Sequence, residues 1–139
     1  MFSKIMVPVD LTHAARLTRA LDCASQLGQS FGAELVYVGV TTALPGPIAH
    51  NPAEYAEKLK AFAAEQGAAS GLKTSAHAVF DHDTAIDIDH ALLRAVEETG
   101  CDLVVMASHI PNLTDYIWPS NGGRVASHAK VSVLVVRGM

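Results

Sequence analysis

The chain has 139 residues, half of them hydrophobic and 17% charged, a balance that suits one packed domain over residues 1–139 and excludes wholesale disorder. Its net charge is −4 and it carries no basic block, which argues against nonspecific nucleic-acid binding and against an anionic membrane surface, because both need clustered Lys and Arg. No apolar run approaches the ~18 residues that span a bilayer, and the amino terminus reads as a strand rather than a secretion signal, so cytoplasmic residence is expected.

In chain order, Lys4 to Val9 is a short apolar run with β-branched residues, read as a strand covered on both faces and ending at Asp10. Pro8 lacks an N–H, which places it near the strand's end or on its edge-facing side. From about His13 to Phe31 the apolar residues Ala15, Leu17, Ala20, Leu21, Ala24 and Leu27 recur at helical spacing. Asp10 or Thr12 is a suitable cap for that helix and Gly32 a suitable stop, while Gly28 predicts a fray or break. Glu34 to Val40 reads as a second buried strand, and the Pro- and Gly-rich 41–47 as a loop. Asn51-Pro52 opens a helix to about Gln66, with Tyr55, Leu59 and Phe62 on one face, and Gly67 to Gly71 reads as a linker.

Thr74 to Phe80 alternates as a third strand, followed by a helix that starts between Asp83 and Asp89, carries Leu92, Leu93 and Val96, and stops at Gly100. Leu103 to Met106 has no polar position and reads as a strand inside the sheet. After an irregular stretch come a helix from Gly122 to His128 and a last strand from Val131 to Val136. Strict alternation of strand and helix implies βαβ units with right-handed crossovers, hence a parallel sheet with helices on both faces.

Three segments narrow the function: Ile5-Met6-Val7-Pro8-Val9-Asp10; Asp102-Leu103-Val104-Val105-Met106-Ala107-Ser108-His109; and the segment from Ser120 to Ala129 followed by Ser132-Val133-Leu134-Val135-Val136-Arg137. In order and spacing, along the whole chain, they resemble the universal stress protein family. The resemblance implies a doubly wound five-stranded parallel sheet in the order 3-2-1-4-5 (adenine nucleotide alpha hydrolase-like), cytoplasmic residence and homodimers. One branch of that family binds ATP or a related adenine nucleotide where the strand order reverses; another lacks the binding motif, G-x2-G-x9-G-S/T. A variant of the motif reads G/A-S-H-R-P, then about eight residues, then G-S-N.

Here Ala107 stands at the first glycine, Ile110 at the second (the variant's arginine), and Pro119 at the glycine before Ser120 and Asn121; Ser108, His109, Pro111, Ser120 and Asn121 follow the variant. The resemblance implies an adenine-nucleotide site formed by Pro8, Val9, Asp10, Val40, Met106, Ala107, His109, Ser120 and Asn121. In it Asp10 accepts from the adenine amino group or the ribose, and the Val40 backbone meets the adenine. Met106 and Ala107 approach the ribose and first phosphate, and Ser120 and Asn121 hold the distal phosphates. Pro119 has no N–H to donate, which weakens the phosphate loop. Asp10 and Ser120 also read simply as helix caps.

Other constellations point less far. His82, Asp83, Asp87, Asp89 and His90 crowd together, but acidic residues suit a helix start, and a metal site is not expected. Cys23 and Cys101 have no paired-ligand spacing and read as two separate thiols. No G-x-S-x-G elbow is present and adjacent Ser108-His109 does not make a triad, so a dedicated enzyme is not expected. Trp118, between Ile117 and Pro119, suits a ligand cover, a subunit contact or plain edge packing. The last strand, Val131 to Val136, falls at a sheet edge in the implied order, where unpaired backbone groups favour antiparallel pairing with a second copy. The leading expectation is a binding or signalling module with a weak adenine-nucleotide crevice; the alternative is a nucleotide-free interaction protein of the same fold.

Overall fold

The computed structural model describes residues 1–42, 45–46, 48–81, 88–108 and 121–137, with the backbone alone at 81 and 121–123. Strands β1 (Lys4–Pro8), β2 (Glu34–Thr42), β3 (Thr74–Asp81), β4 (Leu103–Ala107) and β5 (Ser132–Val136) alternate with helices α1 (Thr18–Phe31), α2 (Pro52–Ser70), α3 (Ile88–Thr99) and α4 (Asn121–His128). The strands form one sheet in the order β3-β2-β1-β4-β5, every pair parallel, as the alternation and the family resemblance lead one to expect. Gln29 Nε2 of α1 donates to the Ser70 carbonyl of α2 at 3.0 Å, so these two helices share one face. On the other face α3 packs against α4. The core lies on both sides of the inner strands, where Ile5, Met6, Leu35, Tyr37, Leu59, Leu92 and Met106 are fully buried and every residue of β4 is buried.

The helix expected from His13 is instead two pieces. A 3-10 turn, Leu11–Arg16, precedes α1, and His13 (φ −118°, ψ 25°) and Leu17 (φ −102°, ψ 7°) leave helical geometry. Asp10 causes the early turn: its carboxylate accepts from the Thr12 N–H at 3.1 Å and engages His13 Nδ1 at 2.7 Å. The bend exposes Ala15, which the apolar stripe directs inward, and buries Leu17.

Gly28 does not break α1, nor does Gly67 begin a linker. A Cβ at Gly28 would lie 2.7 Å from Leu72 Cδ1, and one at Gly67 would lie 2.5 Å from Thr74 Oγ1. Both glycines therefore serve close approach, and α2 continues to Ser70, with Thr74 Oγ1 donating to the Ala63 carbonyl at 2.7 Å. Asn51 caps α2 as expected: its Oδ1 accepts from Glu54 N–H at 2.8 Å, and Glu54 Oε2 accepts from His50 N–H at 3.2 Å.

At the amino-terminal end of the sheet Asp102 clasps β1 to β4, accepting from Ser3 N–H (2.9 Å), Ser3 Oγ (3.0 Å) and Lys4 N–H (3.1 Å). Burial works to raise its carboxyl pKa, but these bonds together hold it below the usual carboxylate range. Cys23 and Cys101 are free thiols, and burial pushes the Cys101 thiol up. Among the described residues no helix is long and apolar enough to cross a membrane.

Candidate functional site

From β1 the chain moves to β2 on one side, whereas from β4 it moves to β5 on the other. The helices that follow these two neighbouring strands therefore lie on opposite faces, and the carboxyl ends of β1 and β4 form the switch point at which open α/β sheets receive ligands. Of the expected site residues, Pro8, Val9, Asp10, Val40, Met106 and Ala107 gather at this edge. Pro8 is the last residue of β1, a position where its missing N–H costs the ladder little. Val9 extends the pairing beyond it, its N–H donating to the Val38 carbonyl at 2.8 Å.

Val9 and Met106 are fully buried, and Val40 and Ala107 nearly so, which gives the switch point an apolar floor. Met106 and Ala107 are held in register by Val135 and Val136 of β5. Ser108 follows, buried, its N–H donating to the Val136 carbonyl at 2.8 Å. Asn121 opens α4. His109 and Ser120 lie outside the described residues, as do Ile110, Pro111, Trp118 and Pro119 of the loop and His82, Asp83 and Asp87 of the acidic stretch.

Asp10 is the polar group of the floor, 4% exposed. The cap expected of it is present: Oδ1 takes the Thr12 N–H, while Oδ2 faces His13 Nδ1. A carboxylate offers about four acceptor positions, so these two contacts leave it able to accept from a ligand N–H or hydroxyl. Asp89, the other buried carboxylate among the described residues, meets Arg124 Nη1 at 2.8 Å and so ties α3 to α4.

Two neighbours of Asp10 are not evident from the sequence. His13 carries a weak signal, standing three residues after an aspartate at a strand end. Tyr55 reads only as part of the buried stripe of α2, where it does lie. Its ring also crosses Gly39 of β2, where a Cβ would stand 2.2 Å from the Tyr55 hydroxyl. Burial, and after it the charge of Asp10, push the Tyr55 phenol up. A patterned stripe cannot reveal that proximity, because it depends on how α2 lands on the sheet. Among the described residues the resulting site has apolar walls and a buried carboxylate acceptor, suited to a flat, amino-bearing ring. An anionic group would have to sit away from Asp10, toward the backbone N–H groups that open α4.

The sequence model of the Universal stress protein family matches residues 1–137. Among solved structures, a protein from the universal stress protein family of Burkholderia pseudomallei is 25% identical, with a TM-score of 0.67 over 96% of this chain and 95% of that one. A universal stress protein in complex with cAMP is 19% identical, with a TM-score of 0.69 over 99% of each chain. The universal stress protein from Archaeoglobus fulgidus in complex with dAMP is 17% identical, with a TM-score of 0.67 over 96% of each chain.

Proposed function

This chain belongs to the universal stress protein family, and on that premise we propose that it binds an adenine nucleotide weakly, in the crevice at the ends of β1 and β4, as a cytoplasmic binding or signalling module rather than a dedicated enzyme. The observation that carries the reading is the buried Asp10 carboxylate beside the apolar floor of Val9, Val40 and Met106, at the point where the strand order reverses. The cAMP and dAMP held by two structural relatives support the ligand class.

In this reading Asp10 accepts from the adenine amino group or the ribose, and the backbone of Val40 meets the base. Pro8 and Val9 shape the floor, Met106 and Ala107 approach the ribose and first phosphate, and His109, Ser120 and Asn121 serve the phosphates. Pro119 subtracts one N–H from the phosphate loop. Losing a donor to a charged acceptor costs on the order of 1.5–3 kcal/mol, roughly a tenfold to hundredfold in affinity. Calorimetric titration with ATP, ADP and AMP is expected to give weak saturable heat, weaker still for Ser120→Ala and stronger for Pro119→Gly. No heat from any of the three at millimolar concentration would overturn the proposal.

The same reading includes a homodimer through β5. Ser108 N–H reaches the Val136 carbonyl, so Ser132, Leu134 and Val136 turn their backbone groups toward β4 while Val133 and Val135 turn theirs outward. Val133 also packs partly against the core, so its side chain is a poor place to probe the edge; its N–H is a better one. Val133→Pro removes an outward donor without touching the β4 ladder. Light scattering is expected to give a dimer for the parent chain and a monomer for this variant at the same micromolar concentration. A parent chain that is already monomeric would remove the dimer.

A further inference from the structure

The helix layer on the α1 side has a gap. Helix α2 packs on β2 and β3, and α1 packs mainly on β1, β2 and β4, so β5 has little cover there. A groove of about 1310 Å³ runs between α1 and β5. Leu27, Leu134 and Val136 give it apolar walls, and Leu134 is 38% exposed, among the few large apolar side chains of the described residues that reach solvent. Its rim is basic: Arg16, Arg19 and Arg137 all line it, against a single carboxylate, Asp22. All three arginines are exposed, and among the described residues none pairs with a carboxylate. Of the seven cations elsewhere, Lys4, Lys58, Lys73, Arg94 and Arg124 pair, whereas Lys60 and Lys130 do not pair among the described residues. A chain of net charge −4 thus gathers three guanidinium groups, none paired with a carboxylate among the described residues, along one apolar groove.

We propose that this groove docks an acidic amphipathic helix of a partner protein, which completes the helix layer over β5. A helix about 10 Å across fills such a volume in roughly three turns. Its apolar stripe would cover Leu134 and Val136, and its carboxylates would meet Arg16, Arg19 and Arg137. Arginine suits this task because its planar fork pairs with carboxylates in two bonds. A free inorganic anion would satisfy the rim but leave the apolar floor wet. A basic helix would be repelled. Edge pairing through β5 uses backbone groups and leaves this face open, so the inference stands independently of the nucleotide and dimer readings.

The test uses the full chain and a fluorescein-labelled synthetic peptide of about fifteen residues, with leucines at helical spacing flanked by glutamates. A second peptide carries lysine in place of every glutamate. Anisotropy titrations are expected to show saturable binding of the acidic peptide only, weakening as salt rises. The Arg16→Glu/Arg19→Glu double variant should lose at least about tenfold in affinity through like-charge repulsion. Leu134→Ser should weaken binding separately, with thermal melts confirming that both variants fold. Equal binding of the two peptides, no binding of the acidic one, or indifference to the arginine reversal would overturn the proposal. So would light scattering in which the arginine reversal dissociates the parent oligomer, since that would assign the groove to a second copy.

Discussion

Gly39→Ala is expected to destabilise the protein by about 1–3 kcal/mol, an overpacking cost that lowers the melting temperature by several degrees. The new methyl group would stand 2.2 Å from the Tyr55 hydroxyl and 2.9 Å from both Cε1 and Cζ of its ring. No real contact is that short, so the ring must move. Tyr55 is buried at the start of α2, a helix held by the Asn51 cap and by Leu59 and Ala63 in the core, so movement of the ring costs packing. Gly46→Ala supplies the control, because no described residue lies within 4 Å of its added methyl, and it should change stability by less than about 0.5 kcal/mol. Tyr55→Phe in the Gly39→Ala background should recover part of the loss by deleting the nearest clashing atom. Urea unfolding of the parent and these three variants measures the differences. A Gly39→Ala chain as stable as the parent would show that Tyr55 does not cross this strand.

Asp10→Ala is expected to cost about 2–4 kcal/mol, because it removes both a cap and one member of a largely buried carboxylate–imidazole pair. The carboxylate is 4% exposed, holds the Thr12 N–H at 3.1 Å and lies 2.7 Å from His13 Nδ1. Asp10→Asn separates the roles: its Oδ1 can still accept from Thr12, but it brings no charge to His13 and carries an amide in place of one acceptor. The asparagine variant should therefore lose less stability than the alanine variant. If Asp10 also receives the adenine nucleotide, both variants should weaken nucleotide affinity at least about tenfold by calorimetry. Parent-like nucleotide affinity in Asp10→Asn would leave Asp10 as a cap alone. Parent-like stability in Asp10→Ala would contradict the geometry of the first turn.

Much of the architecture was legible in the residues. The apolar runs at 5–9, 35–40 and 103–106 have no polar alternation, which requires a sheet covered on both faces, and the alternation with helical periods requires parallel strands. Asn51-Pro52 marked the start of α2 because capping chemistry is local. The expected site residues at the ends of β1, β2 and β4 also fell on one sheet edge, since a strand's end in a parallel sheet is set by its position in the βαβ repeat.

What escaped the sequence were contacts between separate elements of the fold. Gly28 reads as a fray or break and Gly67 as the start of a linker, yet each is a point where a helix approaches Leu72 or Thr74 too closely for a side chain. Gly39 and Tyr55 meet for the same reason.

The sequence by itself determined the elements, their parallel order and the family, because hydrophobic period, caps and crossover handedness act locally or through general packing rules. Only the tertiary structure decided that Tyr55 lies over Gly39, and that three arginines without a carboxylate partner among the described residues line one groove beside β5. Each of these depends on where a helix comes to rest on the sheet, a property that is set by the whole core and written in no single segment.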